Sequence, residues 1–322
     1  MGMDACMLCP RMCGVDRESG EKGYCGMDGK LRAARAALHM WEEPCISGPR
    51  GSGAVFFSGC SLRCIFCQNY EIAQGNCARE ISGDRLSEIF LELQEKGAAN
   101  INLVTATHFA PAVIGALKKA KEQGMYLPVI YNSSGYERVE TVQMLEEVVD
   151  VWLPDFKYMD PELAFACSKA KDYPEVAVAA IREMMLAGGR CEYDDNGYIQ
   201  KGVIVRHLIL PGHTKNSIAV LDELYETYGK NLTISLMNQY TPLPQVRDIP
   251  DLNRRVTKRE YEKVLDEQVV AQVDQLLELL QGVGADLLLG DHALDLGITQ
   301  GFFQEGGTAK ESFIPLFDYE GL

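Results

Sequence analysis

From residue 51 onward, short apolar runs alternate with stretches whose apolar positions recur at helical spacing. Ala54-Val55-Phe56-Phe57-Ser58 reads as a buried strand that Gly59 opens into a loop. Strand-like and helix-like stretches then follow in pairs: Ile101 to Thr105 with Ala110 to Gln123, and Leu127 to Tyr131 with Val139 to Val148. The series continues with Val151 to Phe156 and a helical stretch around Val176 to Leu186, then Gly202 to Leu210 with Ser217 to Tyr228, and last Leu232 to Met237. A parallel strand can return to its sheet only through a crossover, so this alternation predicts βαβ units and a parallel sheet, closed or open. Six such strands can be counted, fewer than the eight of a full barrel.

Polar residues gather just after these strands, at Thr105-Ala106-Thr107-His108, Asn132-Ser133-Ser134-Gly135, Asp155-Phe156-Lys157 and Asn238-Gln239-Tyr240. The carboxyl ends of parallel strands form the ligand-binding edge of such sheets, and a site is expected there. Beyond Thr257 the pattern changes. Val264, Val269, Val273, Leu276, Leu277 and Leu280 recur at helical spacing among acidic neighbours and predict an amphipathic helix. The tail from Gly301 to Leu322 carries Phe302, Phe303, Phe313, Ile314, Leu316 and Phe317 among turn residues, and is expected to pack on the domain. Before residue 51 the chain is rich in Gly and charge without a clear period, and Cys6, Cys9, Cys13 and Cys25 crowd it. The expected organisation is a cysteine-rich module over 1–50, a strand-and-helix domain over 51–257 and a C-terminal helix with a packing tail over 258–322.

At 322 residues and 47% apolar composition the chain can bury a substantial core. Lys and Arg number 31 against 46 Asp and Glu, and the formal charge of -15 repels nucleic-acid phosphates and anionic membrane surfaces, so neither partner is expected. No run of about 18 uncharged apolar residues occurs. Met1 to Cys13 carries cysteines where a signal peptide needs an apolar stretch, which points to a cytoplasmic protein. In a cytosolic chain of this size, clustered cysteines bind metal or do redox chemistry more often than they form disulfides.

Cys60-Ser-Leu-Arg-Cys64-Ile-Phe-Cys67 has the spacing Cys-x3-Cys-x2-Cys. One compact loop thereby offers three thiolates to three irons of a cubane and leaves the fourth iron open, unlike a structural zinc site filled by four protein ligands. The motif, with Phe66 before its last cysteine and the flanking text from Gly51 to Cys60 and Cys67 to Glu71, resembles the radical S-adenosylmethionine superfamily. The branch it resembles is that of pyruvate formate-lyase activating enzyme-like proteins, and the similarity runs from Cys9-Pro-Arg-Met-Cys13 to Gln304-Glu-Gly-Gly-Thr308. The resemblance implies a partial (β/α)6 TIM-like barrel of α/β class. It implies a 4Fe-4S cluster on Cys60, Cys64 and Cys67 whose open iron chelates S-adenosylmethionine. It further implies cleavage of that cofactor to methionine and a 5′-deoxyadenosyl radical that abstracts hydrogen. The electron would come from a one-electron reductant of flavodoxin or ferredoxin type.

The same resemblance assigns cofactor contacts by position. Phe66 and Tyr240 flank the cofactor; Thr105, Thr107 and His108 follow the second strand, where relatives contact the methionine amino group; Asn132 and Ser134 follow the third. Asp155 and Lys157 match an Asp-x-Lys element beside the cofactor, and Arg206 matches an arginine facing its carboxylate. His207 and His213, beside a Pro-Gly turn, are expected to be structural. Cys6-x2-Cys9-x3-Cys13-x11-Cys25 supplies four thiolates for a second site, either zinc or an auxiliary iron-sulfur cluster. Cys45, Cys77, Cys167 and Cys191 lack ligand spacing, although Cys45 is near enough in sequence to substitute.

Longer glycyl-radical activating enzymes place their extra cysteines after the radical motif, whereas here they precede it. Glu267 to Asp291 is an insertion relative to that pattern, with no function legible beyond packing or a partner surface. Three functions remain in view: activation of a partner glycyl-radical enzyme, radical modification of a small molecule or peptide, and metal binding or electron transfer without cofactor cleavage.

Overall fold

The computed structural model describes residues 4–266 and 298–300. Regular structure begins with β1 (Arg32–His39), which leads through α1 (Pro44–Ser47) into β2 (Ser52–Phe57). There follow α2 (Tyr70–Ala73), β3 (Arg79–Glu80), α3 (Gly83–Glu95), β4 (Ile101–Val104), α4 (Ala110–Glu122), β5 (Val129–Ser133), α5 (Val139–Leu145) and β6 (Val151–Pro154). Next come α6 (Pro161–Ser168), α7 (Tyr173–Gly188), β7 (Glu192–Tyr193), β8 (Ile199–Leu208), α8 (Thr214–Tyr228), β9 (Thr233–Met237) and β10 (Ile298–Gln300).

The strands form one sheet in the order β10-β9-β8-β6-β5-β4-β2-β1-β3, with β7 paired to β8. The six strands expected from the apolar runs are β2, β4, β5, β6, β8 and β9, and every neighbouring pair among them is parallel. Among the described residues the two ends of the sheet, β3 and β10, do not pair, so the barrel is open.

Alternation along these strands sorts the side chains into two sets. Val55, Phe57, Ile101, Leu103, Val129, Tyr131, Trp152, Val203 and Val205 join the large core shared with the helices. The opposite, inner face carries Ile130, Val151, Leu153, Ile199 and Ile204, and Ile46 of α1 plugs this smaller cluster from below. Toward the carboxyl ends the same inner face turns polar, with Asn102, Asn132, Asp155 and Arg206 next in the period. An apolar floor under a polar rim is what a ligand needs in order to be held at one end.

Several short elements escaped the pattern, and so did β1 and the longer α3. β1, an Arg-Ala-Ala-Arg-Ala-Ala-Leu-His stretch, has little strand propensity, yet it pairs antiparallel with β2 through a bulge between Ala33 and Arg35. Pairing with a buried neighbour and burial of Ala33, Ala36 and Ala37 decide its state. α3 crosses over between β2 and β4, buries Leu86, Ile89, Phe90 and Leu93 and is capped by Ser82, whose hydroxyl accepts from Arg85 N at 3.0 Å. The helix expected beyond Thr257 starts at 258, where Thr257 and Glu260 cap each other's backbone N–H at 2.9 and 3.2 Å. Its continuation past 266, the stretch from Glu267 to Asp291 and the tail from Gly301 lie outside the described residues.

Candidate active site at the carboxyl end of the sheet

The loop carrying Cys60, Cys64 and Cys67 leaves the end of β2 through Gly59, whose φ is +85°. A Cβ at Gly59 would sit 2.7 Å from Cys25 O and 2.6 Å from Met27 Cγ, so the N-terminal cysteine segment packs directly on the start of the loop. Within the loop, Arg63 is left-handed at φ +54°, a conformation that non-glycine residues adopt mainly where the surroundings impose it. Cys60 Sγ accepts from Leu62 N at 3.4 Å, and Cys64 Sγ accepts from the Ser168 hydroxyl at 3.1 Å. Ile65 N donates to Cys167 O, tying the loop to the end of α6. Burial and the neighbouring Cys64 push the Cys60 thiol up to about 11 and the Cys67 thiol up to about 12, with Lys157 pulling the other way on both. Cys60 and Cys67, raised in this way, stay protonated at neutral pH unless a cation joins them.

The polar rim is built around Arg206. Its Nε donates to Asp155 Oδ1 at 2.9 Å, Nη1 to Glu42 Oε2 at 3.0 Å and Nη2 to Asn132 Oδ1 at 2.6 Å. Lys157 Nζ bonds Asp155 Oδ2. Burial opposes ionisation of Asp155, but Arg206 and Lys157 outweigh it and hold the carboxyl below its ordinary range. The segment carrying these groups is pinned from behind. Lys157 N donates to the Tyr173 hydroxyl at 2.9 Å, and that hydroxyl lies within bonding distance of Ser134 O and Asp155 O. Asn216 of α8 accepts from Met159 N and Asp160 N and donates to Lys157 O. Gly135, at φ +74°, is required here, since a Cβ would fall 2.1 Å from Asp155 O.

The remaining expected residues divide. Phe66 faces Tyr158 and Tyr240 at ring separations of 6.4 and 6.0 Å, an aromatic wall beside the cysteine loop. Thr105 follows β4 at φ +60°, an unusual conformation for a β-branched residue, with its N–H on Asn132 O. Thr107 and His108 turn into the wall. Thr107 donates to Glu137 Oε1 at 2.7 Å, and His108 Nε2 meets Ser58 O at 2.7 Å, which fixes the end of β2. Burial pushes His108 down to about 4, so at neutral pH it is an uncharged donor to that carbonyl. His207, expected to be structural, is fully buried with Nδ1 2.6 Å from Phe156 O.

Cys6, Cys9 and Cys25 are buried and Cys13 is half-buried. Gly23 lies between two of these sulfurs, its Cβ position 3.0 Å from Cys13 Sγ and 3.7 Å from Cys25 Sγ. Burial pushes Cys9 up to about 12 and Cys25 upward as well, with the neighbouring cysteines of the set adding to both. All eleven cysteines are free thiols. Cys45 sits in α1 with Cys191, against the inner cluster. The segment is fastened to the barrel by Arg11, which donates to Ser61 O, Ser168 O and Lys169 O, and by Arg138 and Thr141, which donate to Met7 O and Leu8 O.

Sequence reading missed Glu42, Glu137, Arg11, Ser168, Tyr173 and Asn216. Arg11 lies inside Cys9-Pro-Arg-Met-Cys13, where only the cysteines were weighed; the others are lone polar residues outside any motif, and of these only Glu137 and Asn216 stand beside predicted helical stretches. Among the described residues no three Cys, His, Asp or Glu side chains could hold one metal ion. A cubane asks for something different, one thiolate on each of three irons, and three soft donors on one buried loop facing an ammonium fit that group. Among the described residues no helix is long and apolar enough to cross a membrane.

The family model described as the radical SAM superfamily matches residues 54–224. An uncharacterized protein of Methanocaldococcus jannaschii is 30% identical over 270 residues, 81% of this chain and 73% of that protein. A pyruvate formate-lyase-activating enzyme of Clostridium pasteurianum is 24% identical over 243 residues, 69% of this chain and 93% of that enzyme. Among solved structures, HydG, a maturase of the FeFe-hydrogenase, aligns at 15% identity with a TM-score of 0.44 over 65% of this chain. This chain spans 46% of that structure's length.

Proposed function

This chain belongs to the radical SAM superfamily, and from that premise we propose that Cys60, Cys64 and Cys67 hold a 4Fe-4S cluster and that the rim of Asn132, Asp155, Lys157 and Arg206 receives S-adenosylmethionine. When bound, the cluster supplies one electron to the sulfonium, and the cofactor then supplies a 5′-deoxyadenosyl radical for hydrogen abstraction. The observation that carries the reading is the convergence of three thiols from one loop with the Asp155, Lys157 and Arg206 side chains from two other strand ends.

The chain's own residues have separable tasks. Asp155 presents a carboxylate to a cofactor ammonium and Arg206 a guanidinium to its carboxylate, which suits the zwitterionic end of S-adenosylmethionine. Lys157 lies within electrostatic reach of all three cysteines and offsets part of the negative charge of a thiolate-bound cluster. Phe66, Tyr158 and Tyr240 keep water from that side. Thr105 and Ser134 border the rim, while Thr107 and His108 set the wall behind it.

As the substrate we propose a glycine of a partner glycyl-radical enzyme, on the strength of the relation to a pyruvate formate-lyase-activating enzyme over most of that enzyme's length. Residues 51–257 would form the radical barrel, 1–50 its lid and 258–322 a C-terminal cover. Of the zinc or second iron-sulfur cluster expected on Cys6, Cys9, Cys13 and Cys25, the cluster is favoured, one thiolate to each iron, because among the described residues no three of these side chains converge on one ion.

The test is anaerobic reconstitution with iron and sulfide, then dithionite and S-adenosylmethionine, assaying 5′-deoxyadenosine. Wild type should form it and Cys64→Ala should not; product that survives Cys64→Ala removes the mechanism. Iron, sulfide and zinc per chain in Cys9→Ala/Cys13→Ala decide the second site.

A further inference from the structure

Glu42 belongs to no strand of the barrel. It lies on the connection between β1 and α1, where its backbone N–H is fixed on Ser47 Oγ at 2.9 Å and the neighbouring Ile46 plugs the inner cluster. From there its side chain, 8% exposed, enters the lumen beneath the rim. Oε2 meets Arg206 Nη1, and Oε1 accepts from Asn102 Nδ2 at 3.2 Å and Asn132 Nδ2 at 3.3 Å.

We propose that Glu42 is a positioning residue for S-adenosylmethionine, holding the Arg206 guanidinium in the orientation that meets the cofactor's carboxylate. The inference rests on the reading above that Arg206 faces that carboxylate. Each nitrogen of Arg206 gives one hydrogen to a fixed acceptor, Asp155, Glu42 or Asn132. Among the described residues, one hydrogen on each terminal nitrogen is left for a ligand, and the plane of the fork is set by three acceptors from three different parts of the chain.

A carboxylate is an expensive way to fill a lumen. Burial pushes the Glu42 carboxyl up to about 7 against the pull of Arg206, with Glu43 and Asp155 adding to the rise. An apolar plug of equal volume would often be as stable or more so. The pair makes physical sense where the guanidinium itself must stay in the lumen and point one way. The two asparagines support this, since both hold the oxygen of Glu42 that Arg206 does not use.

The experiment is equilibrium binding of S-adenosylmethionine, without reductant, to the anaerobically reconstituted full chain. Wild type, Glu42→Gln, Arg206→Lys and the double variant are compared, with iron content and Tm measured on each. Glu42→Gln should weaken binding about tenfold at unchanged iron content. Arg206→Lys should weaken it at least as much, and the double variant should bind no worse than Arg206→Lys alone, because Glu42 acts only through the guanidinium. Binding by Glu42→Gln within about twofold of wild type, or losses that multiply in the double variant, overturn the proposal. If Glu42→Gln fails to fold, Glu42→Asp is put through the same cycle with the same criteria. Arg206→Lys binding as tightly as wild type would instead overturn the reading of the rim itself.

Discussion

Glu137 shows how a single buried group writes a pH dependence into the molecule. It is 2% exposed and accepts from Thr107, with the Tyr131 hydroxyl at 3.3 Å. Burial pushes its carboxyl up to about 8 from an ordinary 4.5, although the Thr107, Tyr131 and Ser133 hydroxyls favour the ionised form. The folded protein therefore holds this proton more tightly than the unfolded chain does. The stability involved is fully present below the unfolded value and is lost as pH rises through the folded one. Denaturant unfolding of Glu137→Gln should show a flatter decline than wild type between about pH 5 and about pH 8; parallel declines would count against it. At Gly59 the constraint is steric. Gly59→Ala should impair cluster loading, read as iron per chain, since the methyl would collide with Cys25 O and the φ is left-handed.

Among elements, α3 and α8 carry different kinds of consequence. α3 only covers the sheet, so removing its cap with Ser82→Ala should cost about 1 kcal/mol and lower Tm by about 2–4 °C while iron content stays as in wild type. α8 reaches into the site through Asn216, which satisfies three backbone groups of the Lys157 to Asp160 segment. Asn216→Ala should cost about 1–3 kcal/mol. It should also weaken S-adenosylmethionine binding in a titration, although Asn216 stands behind the rim and not on it. Loss of stability with unchanged affinity would show that the segment keeps its shape without this side chain. β1 and α3 were missed for different reasons. Alanine-rich β1 is a strand because β2 offers it a ladder, whereas α3 carries Leu86, Ile89, Phe90 and Leu93 at helical spacing, a signal that was present in the sequence.

On the scale of the whole molecule, the N-terminal segment proposed as a lid is fastened to the barrel by a few side chains. Arg11 is the main fastening: it reaches carbonyls on the cysteine loop and at the end of α6, and its guanidinium lies 4.0 Å from the centre of Tyr24 and 5.1 Å from that of Tyr136. Arg11→Met should open the lid more often, so that air bleaches the visible absorbance of the reconstituted cluster about tenfold faster. Equal bleaching rates would mean that the lid does not shield it. The presence of six parallel strands, the carboxyl-end location of the polar residues and the Cys-x3-Cys-x2-Cys loop were all determined by the sequence, because apolar period, turn residues and ligand spacing are local properties of the chain. Tertiary structure alone decided that Glu42 meets Arg206, that Thr107 and His108 face the wall, and that the first cysteines press against Gly59. Those contacts join residues tens of positions apart, and no local periodicity encodes a partner that only the curling of the sheet brings within reach.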